Sequence, residues 1–167
     1  MSTLKANNIK SRFNGNTSLS IDTNGRVLST TTRPMFLARG ITNITQGSRV
    51  LLFGTEVSFN RGNYYSPATG RFTAPFGGVY NINWHMFAYN SSADRCLSLL
   101  YLNSNVVAEC TTEQPNAGSI SGNYSNLGTS INLMLSANDI VFVSAIPNAG
   151  TPSNSIIFGH FSGFLIG

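Results

Sequence analysis

Between residues 79 and 87 apolar and polar side chains alternate, with Tyr80, Ile82, Trp84 and Met86 on one set of positions and Asn81, Asn83 and His85 on the other. A two-residue period places each set on its own face of a β-strand, one turned towards a core and one away from it. Comparable runs of strand length recur at residues 34–39, 50–53, 57–59, 71–73, 97–102, 106–110, 131–135, 140–145 and 156–166, which makes ten strands in all. Between them stand Asn60-Arg61-Gly62-Asn63, Ala68-Thr69-Gly70, Phe76-Gly77-Gly78, Asn90-Ser91-Ser92, Pro115-Asn116-Ala117-Gly118 and Pro147-Asn148-Ala149-Gly150, the residue types that turns require. No long stretch carries a helical repeat with caps. The pattern predicts an all-β protein, a ten-strand antiparallel jelly-roll sandwich.

The first 33 residues read differently. Residues 17–22 and 26–28 flank Thr23-Asn24-Gly25, and Asn-Gly between strand-like runs is a strong hairpin signal. A lone hairpin is marginal in water, so this one is expected to pair with further copies or with a partner surface. Charge marks the same boundary. Lys5, Lys10, Arg12, Arg26 and Arg33 face only Asp22 in residues 1–33, whereas the body from 34 to 167 has five Arg and five carboxylates and is neutral. Phe13 is the one aromatic residue of the arm. A basic N-terminal arm (1–33) and a sandwich domain (34–167) follow.

Composition narrows the function. Charged residues are 10% of the chain, where about a quarter is usual, while hydrophobic residues reach 41%. That excludes a disordered chain or a coiled coil, and it fits a domain whose surface is partly covered by copies of itself. Six carboxylates and two histidines show no spacing used by a hydrolase, a metalloenzyme or a phosphate-binding loop, so neither catalysis nor a cofactor is expected. Glu109 and Glu113 are four apart, but residues 110–115 read as a loop, which gives no helical pairing. Calcium would need more carboxylates than are at hand. The arm lacks the stacked aromatics of a single-strand nucleic-acid binder, and no apolar run is long enough to insert in a membrane. The first thirty residues also lack the apolar core of a secretion signal, so retention in the cytosol where the chain is made is the expectation. Cys96 and Cys110 lie symmetrically about Asn103-Ser104-Asn105. A hairpin there sets them nearly opposite each other, open to a cross-strand disulfide, with two half-buried free thiols as the default.

The order of turns and aromatics in residues 33–167 carries a resemblance. Arg33-Pro34-Met35-Phe36-Leu37-Ala38, the segment from Asn60 through Thr69-Gly70-Arg71-Phe72-Thr73 to Gly78-Val79-Tyr80, then Asn138-Asp139-Ile140-Val141, and Phe161-Ser162-Gly163-Phe164-Leu165 resemble the globular head of complement C1q and its tumour necrosis factor relatives. The resemblance implies a tight homotrimer that works by binding. It places Asn81, Asn83, His85, Phe161 and Leu165 at the trimer interface and Tyr80, Ile82, Trp84, Phe72 and Phe164 in the core. A ring of three His85 side chains could titrate near neutral pH or hold an axial ion, although an imidazole satisfied by backbone is the plainer expectation for His85 and His160. Asn138 replaces a frequent Gly of the family, Ala74 replaces a common Cys, and there is no collagen-like stalk.

The arm itself, from Ser18 to Leu28 and running into Arg33-Pro34-Met35-Phe36, is similar to the leader of C1q-type structural proteins of tailed bacteriophages. That similarity implies a virion protein assembled in the host cytoplasm, either a capsid decoration or head fibre or a tail-fibre component. Lys5, Lys10, Arg12, Ile21 and Arg26 would fasten it to other virion proteins. The head would then contact a host-surface glycan or protein through loops at residues 90–94, 113–125 and 146–155. The alternative is a cellular C1q-like lectin or adhesion module.

Overall fold

The computed structural model describes residues 8–10, 17–21, 27–29, 33–44, 50–51, 56–90, 95–113, 123–147 and 155–166. The chain divides into two compact units, Met1–Arg33 and Pro34–Gly167.

In the first unit β1 (Asn8–Lys10), β2 (Thr17–Ile21) and β3 (Val27–Ser29) form a three-stranded antiparallel sheet in that order. The β2–β3 pairing is antiparallel and sets Ile21 opposite Val27 and Leu19 opposite Ser29, while the expected Asn24-Gly25 turn lies outside the described residues. Strand β1 is an addition, because Asn8–Lys10 is too short and polar to show a period. It pairs with β2 through a register shift between Ile9 and Lys10. Lys5, Arg12 and Arg26 lie outside the described residues, whereas Lys10 and Ile21 sit on β1 and β2.

The second unit is a sandwich of two antiparallel sheets. Strands β4 (Met35–Ile44), β6 (Glu56–Arg61), β9 (Gly78–Asn90), β12 (Asn123–Leu135) and β14 (Ser155–Leu165) make a five-stranded sheet of order β12-β9-β14-β4-β6. Strands β7 (Tyr65–Ser66), β8 (Arg71–Thr73), β10 (Arg95–Leu102), β11 (Asn105–Glu113) and β13 (Ile140–Pro147) form the other in the order β11-β10-β13-β8-β7, with β5 (Val50–Leu51) paired to β13. Each of the ten runs read from the sequence is a strand here, and the two-residue β7 is the addition among the described residues.

The core lies between the sheets and is built on aromatic rings. Phe36 stacks on Tyr65 at 4.7 Å and on Phe72 at 4.8 Å, and meets the edge of Phe161 at 4.8 Å. Phe72 passes the contact on to Tyr80. Tyr80, Ile82, Trp84 and Met86 all point inward from β9, as the alternation requires. Trp84 donates its indole N–H to Ser98 Oγ on the opposite sheet at 3.0 Å, satisfying the one polar atom that this ring brings into the core.

Of the two thiol readings, the pairing of β10 and β11, which shifts register between Leu100 and Tyr101, disfavours the cross-strand disulfide and keeps the default of a free thiol at Cys110. The two-residue turn Asn103-Ser104 moves the centre by half a residue and the shift adds one position more, so Cys110 pairs with Ser98 and Cys96 with Thr112. Diagonal positions of this kind are about 7 Å apart or more, beyond disulfide reach, and Cys110 is a free thiol. The same strand carries Glu109, within the run read as a strand, and Glu113, which lies on the strand and not on the loop expected from residue 110; the two are four positions apart on extended chain, roughly 13 Å.

Candidate functional site

Strand alternation decides which side chains reach the outer face of the five-stranded sheet. On β9 these are Asn81, Asn83, His85 and Phe87, since their neighbours fill the core. On β14, Phe161 is 0% exposed and locked against Phe36 and Tyr65, so it points inward, and Leu165, with the same parity, packs against the core. Phe158, His160, Ser162 and Phe164 therefore point outward. This corrects two expectations together: Phe161 and Leu165 belong to the core of one subunit, and Phe164, 44% exposed, belongs to the outer face. An apolar residue stands on both parities of Phe161-Ser162-Gly163-Phe164-Leu165, which is why periodicity alone leaves the phase of this strand open. Asn81, Asn83 and His85 lie on the outer face as expected. Tyr80, Ile82, Trp84 and Phe72 lie in the core as expected.

Gly163 fixes the phase of β14. A Cβ there would meet Ile82 Cδ1 at 2.8 Å and Phe36 Cε1 at 2.9 Å, so only a residue without a side chain lets this strand lie flat against the aromatic cluster.

Rows of register partners cross the outer face. One runs Phe59–Leu37–Ser162–Asn83–Ser130, the next Arg61–Met35–Phe164–Asn81–Asn132. In their centre Asn83 donates to Asn81 Oδ1 at 2.6 Å, and Asn81 Nδ2 donates to Asn132 Oδ1 at 2.8 Å and to Ser130 Oγ at 3.2 Å. Around this amide network stand Phe164, Phe158 (45% exposed), Phe59 (46%) and Met134 (72%), with half-buried Met35, Leu37 and Phe87 between them. A third row carries the charge: Glu56, Arg39, His160 and His85 are successive partners, and Gly128 closes it on β12. The two imidazoles stack at 5.8 Å with 24° between their planes. Burial first, then the neighbouring His85 and Arg39, hold the His160 imidazole below its ordinary pKa.

Exposed aromatics grouped round a satisfied polar network are the anatomy of a protein interface rather than of a solvated surface. The other sheet offers a contrast. There Tyr101 stacks on Phe142 at 4.7 Å beneath Arg71 and Leu99 and Tyr101 are buried, and among the described residues Val106, 48% exposed, is the large apolar side chain that sheet leaves open.

Turn chemistry accounts for the remaining motifs. Asn60 accepts from Tyr65 N and donates to Tyr65 O through its side chain, closing a loop in which Gly62 and Asn63 take left-handed conformations. Asn138 has φ 73°, where a glycine is at ease and an asparagine is tolerated, so its substitution for glycine keeps the turn. Asp139 Oδ2 accepts from Ser136 N and Oδ1 from Asn103 Nδ2, while Asn103 Oδ1 accepts from Ile140 N. This ties the β12–β13 turn to the β10–β11 hairpin. Sequence reading missed Asn103 as the partner, because nothing local links positions 36 residues apart.

At the opposite end, β9 and β12 finish together at Asn90 and Asn123, β10 and β11 at Arg95 and Glu113, and β13 beside Cys96 at Pro147. The connections expected to recognise ligands therefore leave from one end of the sandwich, though residues 91–94, 114–122 and 148–154 lie outside the described residues. Among the described residues no group of three or more His, Cys, Asp or Glu side chains could hold a metal, and no helix is long and apolar enough to cross a membrane.

Comparison with solved structures gives the same architecture. The globular domain of a zebrafish complement 1qA protein superposes with a TM-score of 0.62 at 18% identity, covering 81% of this chain and 98% of that one. The Eiger TNF of S. frugiperda gives 0.61 at 11% identity over 81% and 94%. Murine APRIL gives 0.55 at 9% identity over 77% and 98%. At these identities the likeness is one of fold. The model of the C1q domain family matches residues 35–166, and the chain belongs to that family.

Proposed function

We propose that this protein is a homotrimeric bacteriophage virion component that acts by binding and not by catalysis, its C1q domain displayed outward and its basic β-arm attached to the particle. The observation that carries the reading is the outer face of the five-stranded sheet, where Phe59, Met134, Phe158 and Phe164 surround a closed amide network. Two further copies would cover these groups, and an obligate assembly of this kind buries upwards of about 2,000 Å2. The loop end, left uncovered, is the surface for a host glycan or protein, in keeping with its Asn, Ser, Gly and Thr content. For the arm, the excess of basic residues and the β1-β2-β3 sheet support a docking role towards acidic virion proteins, with neither nucleic acid nor membrane as target. Head and tail positions on the particle are both compatible with this reading.

Light scattering at micromolar concentration should give a mass three times the 17.9 kDa chain, and a stable monomer would refute the assembly. Deleting residues 1–33 should leave a trimer that no longer joins particles. Incorporation of the truncated protein would remove the anchoring role of the arm; capsid and portal genes beside this one favour the virion reading, and a secretion leader upstream of Met1 favours a cell-borne C1q-type adhesion module instead.

A further inference from the structure

We infer that the row formed by His85, His160 and Arg39 makes the trimer acid-labile: adding a proton to His160, held against His85 and Arg39, loosens the contact between subunits without unfolding them. This rests on the trimeric reading above, because the row lies across the face assigned to assembly.

The geometry is specific. Glu56, Arg39, His160, His85 and Gly128 are register partners across five adjacent strands, β6, β4, β14, β9 and β12. The His85 and His160 rings stack at 5.8 Å, nearly parallel. Two near-parallel rings beside a guanidinium make a poor cradle for a metal ion, whereas they form a stable arrangement as neutral imidazoles. The surroundings supply little to neutralise added charge. Along β9 the neighbours are Asn83 and Phe87, along β14 Phe158 and Ser162, β12 contributes Gly128 without a side chain, and Glu56 stands on the far side of Arg39. Protonating His160 sets a second cation beside Arg39 in every copy, with Glu56 the one carboxylate of the row.

The direction follows from proton counting. Within one subunit His160 already binds its proton less readily than an ordinary imidazole, whose pKa is 6.5, because it is partly desolvated and faces His85 and Arg39. Covering the row with a neighbouring subunit removes more water and pushes the same way. The trimer therefore binds fewer protons than separated subunits. Association is unaffected well above the pKa of His160 in the separated subunit, which already lies below 6.5, weakens as pH falls through that value, and levels off once the assembled form is itself protonated.

The test is light scattering on the full chain over a concentration series at about pH 7.5 and about pH 5, at one ionic strength, with emission from the buried Trp84 recorded alongside. The expected result is a trimer at the higher pH and, at the lower, at least about a tenfold rise in the concentration of half-dissociation, with Trp84 emission unchanged. The double variant H85Q/H160Q should stay trimeric at both values, and H160Q alone, the fallback if the double variant misfolds, should respond less than the parent. Equal affinity at both pH values, or a double variant that dissociates like the parent, overturns the switch and leaves the trimer standing. A monomer at both pH values overturns the trimer and the switch together.

Discussion

At the scale of single residues, two polar groups with definite partners can be tested directly, the Trp84 indole and the Asp139 carboxylate. Trp84 is the one tryptophan, it is buried, and its N–H is answered by Ser98. Ser98→Ala removes the acceptor and leaves an indole donor in the core, so stability should fall by about 1–3 kcal/mol in urea unfolding, with the emission maximum of the folded state nearly unmoved. Asp139 is the other test. Its carboxylate is held below the ordinary 3.8, first by the Asn103 amide and then by the Ser136 N–H. Its stabilising contribution is therefore present above the ordinary value and lost as pH falls through the lowered one. Thermal unfolding of Asp139→Ala, compared with the parent between about pH 6 and pH 2, should show a destabilised protein at the upper end and converging curves at the acid end.

At the scale of strands, much of the fold is legible because the sandwich repeats one rule: apolar residues at alternate positions, turn residues between. The rule identifies β9 completely, since Tyr80, Ile82, Trp84 and Met86 have only Asn81, Asn83 and His85 between them. It fails where a strand is apolar or polar on both sides. In β14 both parities carry aromatics, and the phase comes from Gly163, whose missing side chain makes room for Phe36 and Ile82. In β12 the segment from Asn123 to Ser130 has almost no apolar pattern, yet it extends the strand because β9 offers a full ladder of partners from Asn90 to Asn83. A register shift, as in β10–β11, is equally silent, and together with the two-residue turn at Asn103-Ser104 it undoes the cysteine symmetry. Gly163→Ala tests the phase argument: the added methyl overpacks the cluster, and a loss of about 1–3 kcal/mol is expected, against the small gain that Gly→Ala brings in unstrained extended chain. An unchanged melting temperature would mean that the cluster yields freely and that something else sets the phase.

At the scale of the whole molecule, the trimer proposed above requires the two faces of β14 to separate folding from assembly. Phe161 and Phe164 are three residues apart on one strand, but the first is enclosed by Phe36 and Tyr65 while the second is open on the outer face. Phe161→Ala deletes a ring from the core and should cost about 3–5 kcal/mol, seen as early unfolding whatever the protein concentration. Phe164→Glu leaves that core untouched. It instead puts a carboxylate on each copy at a contact meant to be dry, and three like charges brought together with little water between them repel strongly. The subunit should stay folded, with Trp84 emission as in the parent, while its mass in solution drops to 17.9 kDa. If Phe164→Glu still sediments as a trimer, the outer face of the five-stranded sheet is not where the copies meet, and both the assembly and its acid sensitivity must be sought on another surface.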